Sequence, residues 1–151
     1  MNDDQIIETF ERENITLASI KKRLWAYTID EILISVIFVI IYMGIIPPDA
    51  TYEQIITLIN SMFIYVVSLK IIYQTFFVWY YGATPGKILS KIRVISTVDI
   101  ENPNLLSALN RAIVRIISES FFYIGFLWAF ANPKRETWHD KIAKTLVVNV
   151  Y

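Results

Sequence analysis

The sequence predicts an all-α integral membrane protein: an antiparallel hairpin of two transmembrane helices, a third short or re-entrant hydrophobic helix, and a small cytoplasmic strand pair. Three observations predict this fold class. Hydrophobic residues other than glycine make up 55% of the 151-residue chain, whereas soluble domains have about 45–50% with glycine included. Two apolar runs each reach the roughly 20 residues that a membrane helix needs. A short connection joins them, so the two helices must be neighbours.

The chain divides into an acidic cytoplasmic N-terminal arm, residues 1–17, and a membrane domain, residues 18–151. The arm lacks the basic segment, short apolar core and cleavage site of a secretory signal peptide. We therefore expect the first membrane span to remain in the protein as an uncleaved anchor. Two interpretations of the arm stay open. It is either a partly ordered segment or a short amphipathic helix that uses Ile6, Ile7 and Phe10.

Two transmembrane helices are predicted at about residues 24–46 and 55–81. At the rise of an α-helix, the first run measures about 33–35 Å, enough for a hydrocarbon core of ~30 Å. The two prolines that follow end this helix, because proline disfavours helical structure at the residue before it. Thr51 and Gln54 match a capping box. The second helix therefore begins there and continues to Gly82, a residue typical of a helix C-terminus.

The distribution of lysine and arginine predicts the orientation of the hairpin. Basic residues precede the first span and follow the second: Lys21, Lys22, Arg23, Lys87, Lys91 and Arg93. The connection between the spans has only Asp49 and Glu53 as charged residues. Because basic loops stay in the cytoplasm, both ends of the hairpin, and with them the N-terminus, are expected on the cytoplasmic side.

A third hydrophobic segment lies at about residues 112–131. Asn102 or Asn104 can cap its start, and Asn132-Pro133 ends it. Its most apolar part is too short to span alone, and both flanks are basic. This pattern favours an interfacial amphipathic helix followed by a re-entrant or short paired helix that returns to the same side. A tilted third span, with the C-terminus outside, is the alternative.

Two β-branched stretches flank this segment and predict the cytoplasmic strand pair. The first is Ile92–Thr97, where hydrophobic residues partly alternate with polar ones before a polar turn. The second is the C-terminal "KTLVVNVY", residues 144–151. The two stretches have the composition of short strands, so they are expected to pair.

Asp30 and Glu31 are the chemically unusual feature of the first span, because a carboxylate at the bilayer centre costs about 2.5–3.5 kcal/mol. The second span offers several candidate partners for Asp30: Asn60, Ser61, Ser68, Lys70, Tyr73 and Gln74. Gln74 lies at a similar depth to the carboxylates and Lys70 within reach of its long side chain, so a Glu31–Lys70 or an Asp30–Gln74 contact is geometrically allowed. The group is either a polar cluster that fixes helix packing or a binding site for a proton, a cation or a polar ligand. A shallow, hydrated position of Asp30 is the third interpretation.

The start of the third segment carries Arg111, Arg115 and Glu119, which recur every fourth residue. Residues at this spacing share one face of a helix. Arg115 and Glu119 are therefore expected to form an ion pair, and we group them with the membrane carboxylates as supporting residues.

Several function classes are not expected. The chain has no cysteine and one histidine, which argues against a thiolate nucleophile or a metal site. "GATPGK", residues 82–87, is one residue too short for a phosphate loop and lacks the following Ser or Thr. We interpret it as a tight turn. His139 is interpreted as a surface histidine beside Asp140. Neither an enzyme nor a nucleic-acid-binding protein is predicted, and no cofactor is expected.

Four motifs, "RLWAYTID", "GATPGKILSKIRVIS", "LNRAIVR" and "WHDKIAKTLVV", occur in the order in which they occur in the RDD family of small bacterial membrane proteins. The chain resembles this family over roughly residues 18–150. The resemblance implies that the arginine and the two aspartates of the family name are Arg23, Asp30 and Asp140, forming one constellation near the cytoplasmic interface of the inner membrane. One departure is Lys144, where the family usually has glycine.

Two function hypotheses follow. In the first, which the resemblance suggests, the protein exchanges protons or sodium at Asp30, assisted by Glu31 and Lys70, while Arg23 and Asp140 gate the cytoplasmic mouth. Since so few helices cannot enclose a pore, transport would require a homo-oligomer. In the second, the protein lies in the lipid bilayer as a non-transporting membrane scaffold or assembly factor, and Arg23, Asp30 and Asp140 form a structural clasp. Its protein partners are not identified by the sequence.

Overall fold

A computed structural model describes residues 3–121, 123–131 and 134–150, with side chains from residue 8 onward. Within these ranges the chain folds into short and long helices and one two-stranded sheet. In chain order the elements are α1 (Asp3–Arg12), α2 (Ile20–Ile45), α3 (Tyr52–Tyr81), α4 (Pro85–Leu89), β1 (Ile92–Ser96), α5 (Leu105–Ser120), α6 (Ile124–Ala131), α7 (Trp138–Ile142) and β2 (Thr145–Asn149). The mostly helical class with a small strand pair is confirmed.

Helices α2 and α3 are the two long apolar helices, and within the described ranges both are long and apolar enough to cross a membrane. Helix α2 begins after Ser19, whose side chain accepts a hydrogen bond from the Lys22 amide. Helix α3 begins with the predicted capping box of Thr51 and Gln54. None of the most apolar stretch of α3 is buried inside the chain, and only 17% of that of α2. These apolar surfaces need an external partner such as lipid.

The end of α3 turns back toward the start of α2. Gly82 ends α3 with φ of 69°, the left-handed conformation that glycine adopts without steric cost. Helix α4 follows at once and packs mainly against α2, whereas α3 packs mainly against α5. The turn "GATPGK" therefore links the two long helices near their polar ends.

The two strands pair antiparallel, with Ile92 opposite Asn149 and Ser96 opposite Thr145. The predicted pairing is thus confirmed. The sheet packs into a small core of buried aliphatic residues from several segments of the chain: Ala18, Ala26, Val78, Ile92, Val94, Ala108 and Val147. This core unites the polar ends of the long helices with the C-terminal segment.

Helices α5 and α6 form the third hydrophobic segment and meet at an angle of 102°. At 1.5 Å per residue, the 16 residues of α5 extend about 24 Å, less than a bilayer core. Strand β1 precedes this pair and β2 follows it, and the two strands are hydrogen-bonded neighbours. The segment therefore begins and ends at the same end of the molecule.

The N-terminal arm forms helix α1, so of its two interpretations the helical one is found. Phe10 and Leu17 pack against the outer side of the sheet, and Leu17 bridges to Val148. The expected roles of Ile6 and Ile7, and the expected stop at Asn132-Pro133, lie outside what the structure describes. At the departure from the family pattern, Lys144 has φ of 52°, so the turn forms with lysine in the left-handed region.

Candidate functional site

Asp140 lies at the start of α7, with no exposed surface. Thr137 and Asp140 form a reciprocal capping box: the Asp140 amide donates to Thr137 Oγ1 at 3.3 Å, and the Thr137 amide donates to Asp140 Oδ2 at 3.1 Å. A helix that begins with threonine and has an acidic residue three positions later folds in this way locally. The box fixes the orientation of the carboxylate.

Two arginines from distant helices bind this carboxylate. Arg23 Nη1 of α2 donates to Asp140 Oδ2 at 2.9 Å, and Arg111 Nη1 of α5 donates to Asp140 Oδ1. Arg111 also donates to Thr145 Oγ1 at 2.8 Å, and Arg23 donates to the Val147 carbonyl at 3.3 Å. We call Arg23, Arg111 and Asp140 the arginine–aspartate cluster. It ties α2, α5 and the C-terminal segment together.

The electrostatics of the cluster keep Asp140 ionised. Burial by itself would raise the pKa of its carboxyl group, but the charge of Arg111, together with that of Arg23 and the hydrogen bond from the Thr137 amide, holds this pKa well below its usual value. Opposite charges at hydrogen-bond distance favour the ionised carboxylate in this way. The cluster is therefore a permanent ion-pair site at physiological pH.

Asp30 forms a second, separate site. Its carboxylate has no exposed surface and accepts three hydrogen bonds: from Tyr73 Oη at 2.8 Å, from Thr84 Oγ1 at 2.6 Å and from the Gly86 amide at 2.8 Å. Thr84 precedes α4 but makes no side-chain capping bond, because its hydroxyl serves Asp30. The carboxylate thus joins α2 to α3 and to the GATPGK turn.

The structure brings together part of what the sequence and the resemblance predicted. Arg23 and Asp140 are in direct contact, as the implied constellation requires. Among the described residues, Asp30 forms no hydrogen bond or ion pair with either and has its own donors, so the three residues are not joined by direct bonds. Of the candidate partners in the second span, Tyr73 binds Asp30, whereas the described residues show no Asp30–Gln74 hydrogen bond.

Arg111 is the cluster residue that sequence reasoning missed. It was recognised only as a member of one helix face, without a role in the site. The signal that pointed to it is the four-residue spacing of Arg111 and Arg115 on an amphipathic helix. Both are buried, with 5% and 6% of their surface exposed. Buried arginines require carboxylate partners, but the sequence does not say which.

Four charged side chains of α2, α3 and α5 form a closed ring of ion pairs, which we call the four-residue ring: Glu31, Lys70, Arg115 and Glu119. Lys70 binds Glu31 at 2.7 Å and Glu119 at 3.1 Å, and Arg115 binds Glu31 at 3.3 Å and Glu119 at 3.0 Å. The predicted Glu31–Lys70 and Arg115–Glu119 pairs are therefore confirmed. Arg115 also lies 4.8 Å from the ring centre of Tyr27. With two charges of each sign, the four-residue ring is electrically balanced.

His139 is not the surface residue that was predicted. Only 4% of it is exposed, since it packs against the ring of Phe126 at a centroid distance of 5.1 Å. Burial is the main reason why the pKa of His139 lies well below its ordinary value; Asp140 opposes this shift, while Arg111, Arg115 and Lys87 add to it. His139 is therefore neutral in the folded protein.

A neutral buried histidine predicts a loss of stability in acid. Its folded-state pKa is lowered, so the unfolded chain binds more protons below about pH 6.5, and stability falls as pH falls. Between pH 6.5 and 5.0 we expect the free energy of unfolding to drop by an amount on the order of 1 kcal/mol from this residue. His139→Phe should remove that drop. Unfolding of both proteins in detergent micelles at the two pH values measures it, and an equal drop in both would contradict the prediction.

Fold and site define a class of protein: a small helical chain with two helices apolar enough to cross a membrane, and a polar end joined by a buried arginine–aspartate cluster. The sequence profile of the RDD family matches residues 17–144. The chain therefore belongs to the RDD family, as the four motifs indicated.

One similar protein is uncharacterized protein RP437 of Rickettsia prowazekii (strain Madrid E). It is 30% identical to the chain over 71 residues, which are 46% of this chain and 39% of that protein. The chain thus spans well under two thirds of the length of the curated relative it matches. No solved structure gives a significant match.

Proposed function

We propose that the chain is a multi-pass protein of a bacterial cytoplasmic membrane, in which α2 and α3 cross the bilayer as an antiparallel hairpin. Supporting this, the short connection between them has no basic residue, while basic residues flank the opposite ends. Those opposite ends also meet through the bond between Tyr73 and Asp30. The N-terminus is then cytoplasmic.

The pairing of β1 with β2 supports the re-entrant interpretation of the third segment. Because these strands flank α5 and α6, a straight third crossing would separate them by the thickness of the membrane. Leu17, just before α2, also bridges to Val148 of β2. We infer that α5 and α6 enter the interface and return, which leaves the C-terminus on the cytoplasmic side with the N-terminus.

The function that the geometry supports best is that of a non-transporting membrane scaffold. One observation carries this proposal: the two aspartates of the family pattern, Asp30 and Asp140, have no exposed surface and are each held by at least three donors. A scaffold needs such fixed joints between its membrane helices and its cytoplasmic end. In this role Asp30 locks the GATPGK turn onto α2, and Asp140 locks α7 onto α2 and α5.

The same observation argues against ion exchange at Asp30. An exchanging carboxylate must release its ligands in every cycle and open to each side of the membrane in turn. Asp30 would have to leave three donors, and each hydrogen bond to a charged group contributes about 1.5–3 kcal/mol. Releasing these donors would cost several kcal/mol in every cycle, which favours a fixed structural joint over a carboxylate that changes its ligands.

Transport remains a second candidate because of the four-residue ring. Glu31 is its most accessible carboxylate, with 24% of the side chain exposed, and it faces Lys70 at the level of the predicted span. A carboxylate paired with a lysine inside a membrane is a recognised location for proton transfer. In this candidate the exchanging groups are Glu31 and Lys70 rather than Asp30.

A flux experiment separates these functions. Wild type, Asp30→Asn and Glu31→Gln are reconstituted into proteoliposomes with a trapped pH dye, and proton efflux is recorded on adding sodium or potassium. We expect no cation-dependent efflux in any of the three. Asp30→Asn should lower the free energy of unfolding by about 2–3 kcal/mol, because an amide cannot accept all three hydrogen bonds of the carboxylate.

Each possible result decides between the candidates. Efflux in wild type that a well-folded Asp30→Asn protein has lost would overturn the scaffold proposal and establish exchange at Asp30. Efflux that only Glu31→Gln abolishes would assign transport to the four-residue ring. Before reconstitution, each sample is checked for monodispersity, so that loss of folding is not mistaken for loss of transport.

A further inference from the structure

A partly open cavity of about 210 Å³ lies beside the arginine–aspartate cluster, between α2, α5, α6 and α7. Its polar wall is mostly basic and includes one carboxylate: Arg23, Gln74, Lys87, Arg111, Arg115, Thr137, His139 and Asp140. Pockets for drug-sized molecules measure about 300–1,000 Å³, so this cavity suits a smaller polar group. Its volume is also several times the roughly 30 Å³ that one water molecule occupies in the liquid.

The charges at this wall do not balance. Arg23, Arg111 and Lys87 contribute three positive charges, whereas Asp140 and the adjacent Asp30 contribute two negative ones. Arg115, which also lines the cavity, belongs to the electrically balanced four-residue ring. When Lys87 is protonated, one positive charge is therefore left over among largely buried groups, and a buried charge without a counterion is strongly unfavourable. An anion in the cavity would neutralise it.

Lys87 is the cation of this wall that has no carboxylate partner in the described part of the chain. It is 8% exposed, and its ammonium group donates to Thr84 Oγ1 at 3.3 Å. Burial lowers the pKa of Lys87 to about 7, although the charge of Asp30 opposes this shift. A bound anion would stabilise the protonated lysine.

Unpaired polar atoms at the cavity also favour a bound anion. Arg23 Nε, Gln74 Nε2 and His139 Nδ1 are buried and have no hydrogen-bond partner among the residues that the structure describes. All three residues line the cavity. A buried polar atom left unsatisfied costs about 1–3 kcal/mol, and Arg23 Nε and Gln74 Nε2 are donors. Donors around a surplus of positive charge are suited to the oxygens of an anion.

The other wall of the cavity is apolar. Leu24, Leu127 and Phe130 line it and are themselves 61%, 59% and 67% exposed, so they connect the cavity with the apolar outer surface. Leu24 follows the basic segment at the start of α2, where the membrane interface is expected. The occupant that fits both walls has an anionic head and an apolar tail.

We propose that this cavity binds the phosphate headgroup of an anionic phospholipid, whose acyl chains lie along the exposed apolar residues. Lys87 and the Gln74 amide bind the phosphate together with Arg23 Nε. Arg23 also belongs to the arginine–aspartate cluster, so the test uses Lys87 and Gln74, neither of which bonds directly to Asp30 or Asp140 in the described part of the chain.

The test is ligand-dependent thermal unfolding of the full chain in a nonionic detergent. Dihexanoylphosphatidylglycerol, dihexanoylphosphatidylcholine and sodium phosphate are titrated separately into wild type, Lys87→Met, Gln74→Leu and the control Lys21→Met. Lys21 is exposed, and the control removes one positive charge near the same end of α2. Only phosphatidylglycerol should raise the melting temperature of wild type saturably. Lys87→Met and Gln74→Leu should weaken its apparent affinity by about tenfold or more, whereas Lys21→Met should not.

The unliganded variants provide the second readout. Gln74→Leu removes an unsatisfied buried nitrogen, so this variant should melt no earlier than wild type without lipid. Lys87→Met also removes a cation near Asp30, so its lipid response is compared with its own unliganded melting temperature. Weaker lipid binding by proteins of unchanged stability would support the proposal. Equal stabilisation by phosphatidylcholine, or an unchanged response in both variants, would overturn it. An equal effect of sodium phosphate at the same concentration would overturn the lipid assignment in favour of a free anion.

Discussion

Asp140→Asn is expected to lower the free energy of unfolding by about 3–5 kcal/mol, the usual cost of removing one partner of a buried ion pair. The substitution leaves Arg23 and Arg111 with no carboxylate between them, although both are largely buried. Asparagine preserves the size of the side chain and retains an oxygen that can accept the Thr137 amide bond. The expected loss is therefore electrostatic and does not come from the capping of α7.

Unfolding in detergent micelles, followed by circular dichroism, measures this loss. Asp99→Asn is the matched control, because Asp99 is exposed and the same substitution there should change stability by less than about 0.5 kcal/mol. The pH dependence supplies a further check. Since the folded-state pKa of Asp140 is lowered, its contribution is present above the unfolded-state pKa of about 3.9 and is lost as pH falls below it. Equal stability of Asp140→Asn and wild type at pH 7 would contradict the cluster's role.

The parts of the fold that the sequence predicted depend on local signals. The capping box at Thr51 and Gln54 placed the start of α3, and Gly82 placed its end, because these residues act on backbone groups within one helical turn. The long apolar runs predicted α2 and α3 for a similar reason, since hydropathy is a property of a continuous segment. The strand pair followed from β-branched composition.

The parts of the candidate site that the sequence did not predict depend on contacts between distant segments. Arg111 and Asp140 are 29 positions apart, and their meeting depends on how α5 crosses the C-terminal segment. No periodicity within either segment encodes that crossing. His139 was misassigned for the same reason, because its burial is caused by Phe126 of another helix.

The hydrogen-bond donors to Asp30 show a further limit of predicting contacts from the sequence. Two of them, a threonine hydroxyl and a backbone amide of the GATPGK turn, are neutral groups that occur in most turns. A search for partners among the polar side chains of the second span therefore included Tyr73 and Gln74 but not the turn. Only the folded arrangement shows that this turn holds a carboxylate, as a phosphate loop holds an anion, but with a side chain of the protein as its ligand.

Gly86→Ala tests this function of the turn and is expected to cost about 3–5 kcal/mol, combining overpacking with weakening of a charge-assisted hydrogen bond. A Cβ atom at Gly86 would overlap the carbonyl oxygen of Ala26 and lie 2.8 Å from Asp30 Oδ1. The carbonyl belongs to the backbone of α2 and cannot rotate away as a side chain would. Helix α4 must therefore move outward, which lengthens the bond between the Gly86 amide and Asp30.

Gly44→Ala is the matched control for this substitution. Gly44 lies inside α2, and a Cβ atom added there would meet no described atom within 4 Å. Alanine favours a helix over glycine by about 0.5–1 kcal/mol, so Gly44→Ala should raise stability slightly while Gly86→Ala lowers it strongly. The same unfolding assay compares both. If Gly86→Ala proved as stable as wild type, α4 would not be fixed against α2, and Asp30 would be free to act as something other than a structural joint.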